Sequence, residues 1–245
     1  MMENQFKLNA DKTHIMTLGT QQRLNLPGNK ISIAMDGLVL KESADKSETL
    51  LGIEIDSNLK WHSQVGKLAT KLRSRLAGLS HVKFVLPLKL RKSVSEGLFN
   101  SVLGYCLPLH GSCDVGEIKQ LQVLQNRAAQ LVTLSPSRAP RVPMYDMLNW
   151  FTVNQLVRYH TILAVYRIRM SREPEYLAAS LCKDNRLGKI IVQNTRLSLV
   201  KNSFKIRGAS NWNELPAEIR SEAKIGLFKE KLRTWIKANV PKFLD

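Results

Sequence analysis

The spacing of apolar positions changes period near residue 60. Before it, short runs alternate at two. His14–Leu18, rich in Ile and Thr, predicts a short strand. Ile31, Ile33 and Met35 alternate with small or polar residues, and Asp36-Gly37 then offers a tight turn into Leu38-Val39-Leu40. Asp-Gly between apolar runs is a strong hairpin signal. Leu51, Ile53 and Ile55 alternate around Gly52 and predict a further strand, closed by Asp56-Ser57-Asn58, whose side chains suit a helix cap.

From Trp61 the period is helical. Val65, Leu68, Leu72, Leu76 and Leu79 form one apolar stripe at spacings of three and four, while Lys67, Lys71 and Arg75 recur every four residues on another face. A second helix is predicted from Leu88 to Leu103 with Leu90, Val94, Leu98 and Val102 inward. A third runs from about Glu117 to Val132 on Ile118, Leu121, Leu124, Ala128 and Leu131. Ser135–Pro143 holds three prolines and predicts a loop. A fourth helix covers about Val153–Met170 and stops before Glu173-Pro174, where the residue preceding proline disfavours helix. Lys183–Arg207 is polar and basic, with no assignable element. The last helix, about Ile225–Val240, turns Phe228, Leu232, Trp235 and Ile236 to one side. The fold class expected is α+β, a short β-rich segment followed by a mainly α-helical region. The expected divisions are 1–60, 61–170 and a basic 171–245.

Charge sharpens that division. Residues 1–60 carry 7 Lys/Arg and 8 Asp/Glu, whereas residues 61–245 carry 30 and 12. All of the excess positive charge behind the net +17 therefore lies in the helical part, which points to a polyanion-facing surface rather than to general solubility. The composition is otherwise that of an ordinary globular protein: 44% hydrophobic residues are too many for a disordered chain. Cys106, Cys113 and Cys182 make no even disulfide set and no C-x-x-C pair, so reduced thiols and an intracellular protein, in nucleus or cytoplasm, are expected. The longest charge-free stretch, Gly97–Cys113, includes Asn100, Pro108 and His110 and is too short and polar for a membrane span, so no membrane partner is expected.

The chemistry of catalysis is hard to find. No Walker loop, H-E-x-x-H or G-x-S-x-G occurs, the five histidines are scattered, and no two acidic residues are adjacent. Two-metal phosphoryl transfer needs carboxylates that hold ions about 3.5–4 Å apart. Asp11, Asp36 and Asp56 each read as turn residues, and no metal site is expected. The cations Lys67, Lys71 and Arg75, one turn apart, are the candidate nucleic-acid contacts, since such spacing follows a phosphate backbone. Trp61, Trp150, Trp212 and Trp235 have apolar neighbours and read as packing anchors ahead of base-stacking platforms.

Four short phrases, in order along the chain, resemble a known family. Asn9-Ala10-Asp11-Lys12-Thr13 is similar to the N-x-x-K-T signature at the end of the reverse-transcriptase palm of non-LTR retrotransposons. Leu51-Gly52-Ile53-Glu54-Ile55-Asp56 with Leu59-Lys60-Trp61-His62 resembles the passage between palm and thumb. Leu121-Gln122-Val123-Leu124-Gln125-Asn126-Arg127-Ala128 resembles that family's LxxLQNRA helix, and Trp212-Asn213-Glu214-Leu215-Pro216 with Phe228-Lys229 its WNxLP…FK close. The nearest likeness is to Jockey-like elements. Tyr105-Cys106…His110-Gly111-Ser112-Cys113 departs from the family's YG…W passage.

The resemblance implies that residues 1–60 are the end of a palm, 61–170 a thumb, and 171–245 a basic C-terminal region. It places Asn9, Lys12 and Thr13 beside the incoming nucleotide, with Lys12 near the leaving pyrophosphate or else a solvated turn lysine. It places Leu51, Gly52 and Ile53 in a strand pair that steadies the primer end, unless Gly52 simply permits close strand packing. The helices after Trp61 would hold an RNA–DNA or RNA template–primer. The family's catalytic carboxylates precede the N-x-x-K-T signature, so the missing palm and fingers would supply them and the Mg²⁺ of the full-length enzyme, and this chain alone would bind no cofactor and polymerise nothing. The rival expectations are a domesticated, non-catalytic nucleic-acid-binding protein and a non-functional retroelement remnant.

Overall fold

The protein is described by a computed structural model over residues 9, 13–26, 33–35, 38–40, 47–196 and 198–241. Backbone contacts divide the chain into two units, Met1–Gln64 and Val65–Asp245.

In the first unit a short helix, α1 (Gln21–Leu24), precedes two separate two-stranded antiparallel sheets. Strands β1 (Ile33–Met35) and β2 (Leu38–Leu40) pair with Met35 opposite Leu38, the register of the expected hairpin. Ile31 and the Asp36-Gly37 turn lie outside the described residues. Strands β3 (Ser47–Leu50) and β4 (Ile53–Asp56) pair with Leu50 opposite Ile53. The expected strand through Leu51–Ile55 is thus a turn at Leu51-Gly52 followed by β4, with β3 ahead of it. Leu51 and Gly52 both take positive φ, 50° and 79°, the signature of a two-residue type I′ turn whose twist suits a hairpin. A Cβ on Gly52 would meet nothing within 4 Å, so the glycine serves its φ and not close strand packing. His14–Leu18 forms no strand either, and Ile15 makes a single bridge. Isolated bonds take the place of a ladder, from His14 Nδ1 to Glu48 Oε1 at 2.9 Å and from Gly19 N to Ser57 O at 3.0 Å.

The helical run begins with α2 (His62–Val82), which crosses the unit boundary in its first turn. Its predicted stripe is its buried face, with Val65, Leu68, Leu72, Leu76 and Leu79 each at most 8% exposed. Next come α3 (Leu88–Ser95), a π-helical turn at Glu96–Asn100, and α4 (Ser101–Gly104), a nearly unbroken run where one helix is expected. Its buried face differs from expectation by one position. Ser95, Phe99 and Leu103 are fully buried, while Leu90 and Leu98 are exposed. The cause is Arg91, which three carbonyls hold on the inner side, so that the inner row runs through Arg91, Ser95, Phe99 and Leu103.

Helices α5 (Leu107–His110), α6 (Val115–Thr133) and α7 (Arg141–Leu148) follow. Part of the expected loop at 135–143 is therefore helix. Pro140 caps α7 and Pro143 stands in its first turn, where no backbone N–H is needed. Then come α8 (Val153–Ser171), α9 (Glu175–Leu181), α10 (Ser198–Lys201), α11 (Phe204–Asn213), α12 (Ala217–Arg220) and α13 (Ile225–Asn239). The structure is mostly helical with small antiparallel sheets, an α+β fold.

The C-terminal helices share one core with α8. Tyr166 of α8 stacks on Phe228 of α13 at 4.0 Å, and Trp212 of α11 lies 6.0 Å from the same ring. Arg169 stands over the Trp212 ring, its Cζ 5.1 Å from the ring centre, while its guanidinium pairs with Asp184 at 2.7 and 2.9 Å. Asn213 holds Ile190 by both backbone groups, each at 2.8 Å, which seats the 182–191 segment on α11. The described residues from 171 onward thus pack on α8 through buried aromatic rings.

Candidate nucleic-acid interface

Helix α2 is built to be wet on one side and dry on the other. Among its 21 residues stand Lys67, Lys71, Arg73 and Arg75 and no carboxylate. All four side chains are exposed. Lys67, Lys71 and Arg75 follow one flank of the buried stripe, successive residues lying ~6 Å apart along the axis. Two phosphate steps of one nucleic-acid strand span ~7 Å, so the spacing matches a backbone contact.

Arg73 leaves α2 about 200° around from Lys71, on the opposite flank. There it joins side chains that the sequence reading did not connect. A groove of about 580 Å³ opens between α2, the loop after it and the C-terminal half of α6, with Arg73, Lys83 and Arg127 as its cations and Phe84 on its rim. No carboxylate lines it. Phe84 is 78% exposed, and Lys83 Nζ stands 4.7 Å from its ring centre.

The groove is held by bonds that use no cation lining it. Arg91 donates to Val132 O at 2.7 Å, Lys83 O at 3.1 Å and Leu86 O at 2.5 Å, pinning the loop to the end of α6. Gln130 Nε2 donates to Ser137 O at 2.8 Å on the other wall. A signal for this region exists in the sequence. Between Asp56 and Glu96 there is no acidic residue and there are nine Lys/Arg.

The phrase Leu121–Ala128 on α6 divides by face. Gln122, Gln125 and Asn126 are buried around Tyr145 of α7. Gln122 Nε2 lies 2.6 Å from the Tyr145 hydroxyl, which lies 2.8 Å from Asn126 Oδ1. Gln122 Oε1 also accepts from Val153 N at 2.8 Å, and Gln125 Nε2 donates to Phe151 O at 2.9 Å. Three polar residues of the phrase thus lock α6 to α7 and to the start of α8, and its single charge, Arg127, lines the groove. The fourth phrase is likewise packing: Trp212, Leu215 and Phe228 are buried. Trp150 is buried too and donates to Glu96 Oε1 at 2.9 Å, as expected of an anchor.

The remaining predicted positions fall elsewhere. Thr13 Oγ1 donates to Asn9 O at 2.8 Å, a local turn, and Lys12 lies outside the described residues. Leu51 and Gly52 form the tip of the β3–β4 hairpin, Leu51 exposed, and Ile53 begins β4 and is buried. Cys106, Cys113 and Cys182 are free, and burial pushes the Cys113 thiol up to about 12. Among the described residues no helix is long and apolar enough to cross a membrane. Compared with known proteins, the chain matches no family model, no curated protein and no solved structure.

Proposed function

We propose that this chain is the duplex-gripping, non-catalytic part of a non-LTR retrotransposon reverse transcriptase of the Jockey-like kind, holding an RNA–DNA or RNA template–primer by its phosphates. The observation that carries the reading is α2, a helix with four exposed cations and no carboxylate. It opens a unit, residues 65–245, that carries 30 Lys/Arg against 12 Asp/Glu. The four family-like phrases give the grip its context. Phosphate contacts fix position and carry no base information, so such a grip reads duplex shape. Polymerisation, and the Mg²⁺ that supports it, would belong to palm carboxylates outside these residues. Clustered acidic ligands are the requirement of that chemistry, and this sequence has no adjacent pair.

The test is binding of a fluorescent RNA–DNA hybrid near 0.15 M salt, with a dissociation constant of roughly 1–100 µM. Scrambling the hybrid's sequence should leave the affinity unchanged, and primer extension with Mg²⁺ should not rise above a no-enzyme control. Failure to bind at low salt, or a strong dependence on sequence, would overturn the reading.

A further inference from the structure

The groove between α2 and α6 differs in kind from the Lys67/Lys71/Arg75 flank. A duplex backbone offers charge alone, yet this site pairs charge with an aromatic face. Phe84 is 78% exposed although water-exposed phenylalanine is unfavourable, and Lys83 stands over it at 4.7 Å. Arg73 and Arg127 approach from two different helices. Ser80, Ser135 and Gln130 add neutral hydrogen-bonding groups to the lining, and no carboxylate is present. A volume of about 580 Å³ suits one small organic unit with a phosphate. The loop bearing the ring is fixed by the three Arg91 bonds, so it needs little ordering on binding.

We propose that this groove takes one unpaired nucleotide of a nucleic-acid strand, its base on the Phe84 ring and its phosphate held by Arg73 and Arg127. An acidic peptide would satisfy the arginines, but it would give the exposed ring nothing flat to stack on. The inference rests on the nucleic-acid reading above and deepens it. It sends duplex to the Lys67/Lys71/Arg75 flank and a single-stranded end to the other flank of the same helix.

The test compares three ligands on the full chain: a blunt RNA–DNA hybrid, the same hybrid with a four-nucleotide single-stranded overhang, and that overhang with abasic sites. The overhang should bind roughly tenfold tighter than its abasic counterpart, the size of one base stacked on an aromatic ring, and the abasic ligand, which keeps its phosphates, tighter than the blunt one. Phe84→Ala should erase the difference between overhang and abasic ligand and leave blunt binding unchanged, while Phe84→Trp should keep it. Arg73→Gln with Arg127→Gln should weaken the overhang ligand and the abasic ligand alike. If blunt and overhang ligands bind equally, the groove inference falls and the duplex reading stands; if neither binds, both fall. A polyglutamate peptide that displaces the overhang and is itself weakened by Phe84→Ala would mark an acidic-peptide site and overturn the inference.

Discussion

Gln122 should matter to stability more than the tyrosine it touches. The amide is 4% exposed and joins three helices. Its Nε2 faces the Tyr145 hydroxyl at 2.6 Å and Asn126 Oδ1 at 2.9 Å, and its Oε1 accepts the Val153 N–H at 2.8 Å. In Tyr145→Phe the ring stays and only the hydroxyl goes. Gln122 Nε2 keeps Asn126 and, at 3.3 Å, Gln125, so no other group loses its last partner. That change should cost about 1 kcal/mol, the net worth of one hydrogen bond. Gln122→Met keeps the volume but deletes both ends of the hub. The Val153 N–H, in the first turn of α8, is then buried without its partner, at about 1–3 kcal/mol, and the three bonds of Nε2 are lost. The expected total is about 3 kcal/mol. Urea unfolding followed by tryptophan fluorescence reports on this region, because Trp150 and Trp212 are both buried. With a slope of about 2–3 kcal/mol/M, the midpoint should fall by roughly 1–1.5 M for Gln122→Met and by less than roughly 0.5 M for Tyr145→Phe. Nucleic-acid affinity of the folded variants should not change, since these side chains face inward. Equal midpoints for the two variants would refute the hub reasoning.

Stability should decline on acidification below about pH 6.5. His110 is fully buried; its Nε2 bonds the Tyr105 carbonyl at 3.1 Å and its Nδ1 has no hydrogen-bond partner, while burial and the nearby Arg207 hold its pKa below the usual 6.5. Burial lowers His160 in the same way. The unfolded imidazoles therefore take up protons first as pH falls, so the stabilisation is complete above about 6.5 and is lost below it, by at most about 1.4 kcal/mol per group per pH unit. Thermal melts at pH 7.5 and 5.5 check this, and His110→Gln, which retains a donor for Tyr105, should flatten the difference. Gly111→Ala should destabilise by about 2–3 kcal/mol, because its Cβ would meet Leu107 O at 2.6 Å and a Val157 methyl at 2.7 Å. Gly78→Ala in α2, where a Cβ meets nothing within 4 Å, should instead stabilise by roughly 0.5–1 kcal/mol, and chemical denaturation of the pair checks both.

Periodicity made the long helices legible and left the corners unread. The α2 stripe is legible because Val65, Leu68, Leu72, Leu76 and Leu79 are large aliphatics at helical spacing. The face of α3 was misjudged by one position because Arg91 counts as polar in a pattern, although its guanidinium is held among backbone carbonyls. Helix α7 was hidden by prolines that look like loop residues and are tolerated at a helix start. The turn at Leu51-Gly52 was hidden by a leucine at positive φ, an uncommon choice that alternation mistakes for strand. The Lys67/Lys71/Arg75 flank could be read from one helix alone. The groove could not, because Arg73, Phe84 and Arg127 meet only after α2 and α6 pack.

The most direct test of the phosphate grip is the salt dependence of RNA–DNA hybrid binding, by fluorescence anisotropy at several salt concentrations, for the native chain and for Lys67→Gln/Lys71→Gln/Arg75→Gln. If the flank and its neighbours neutralise roughly 5–6 phosphates, log affinity should fall against log salt with a slope of about −4.5 to −5.5. The triple substitution should make that slope shallower by roughly 2–3 and weaken all sequences alike, with little effect on folding because exposed helix charges contribute only about 0.5 kcal/mol or less each. An unchanged slope in the triple variant would mean that the flank is merely solvated, and would contradict the account.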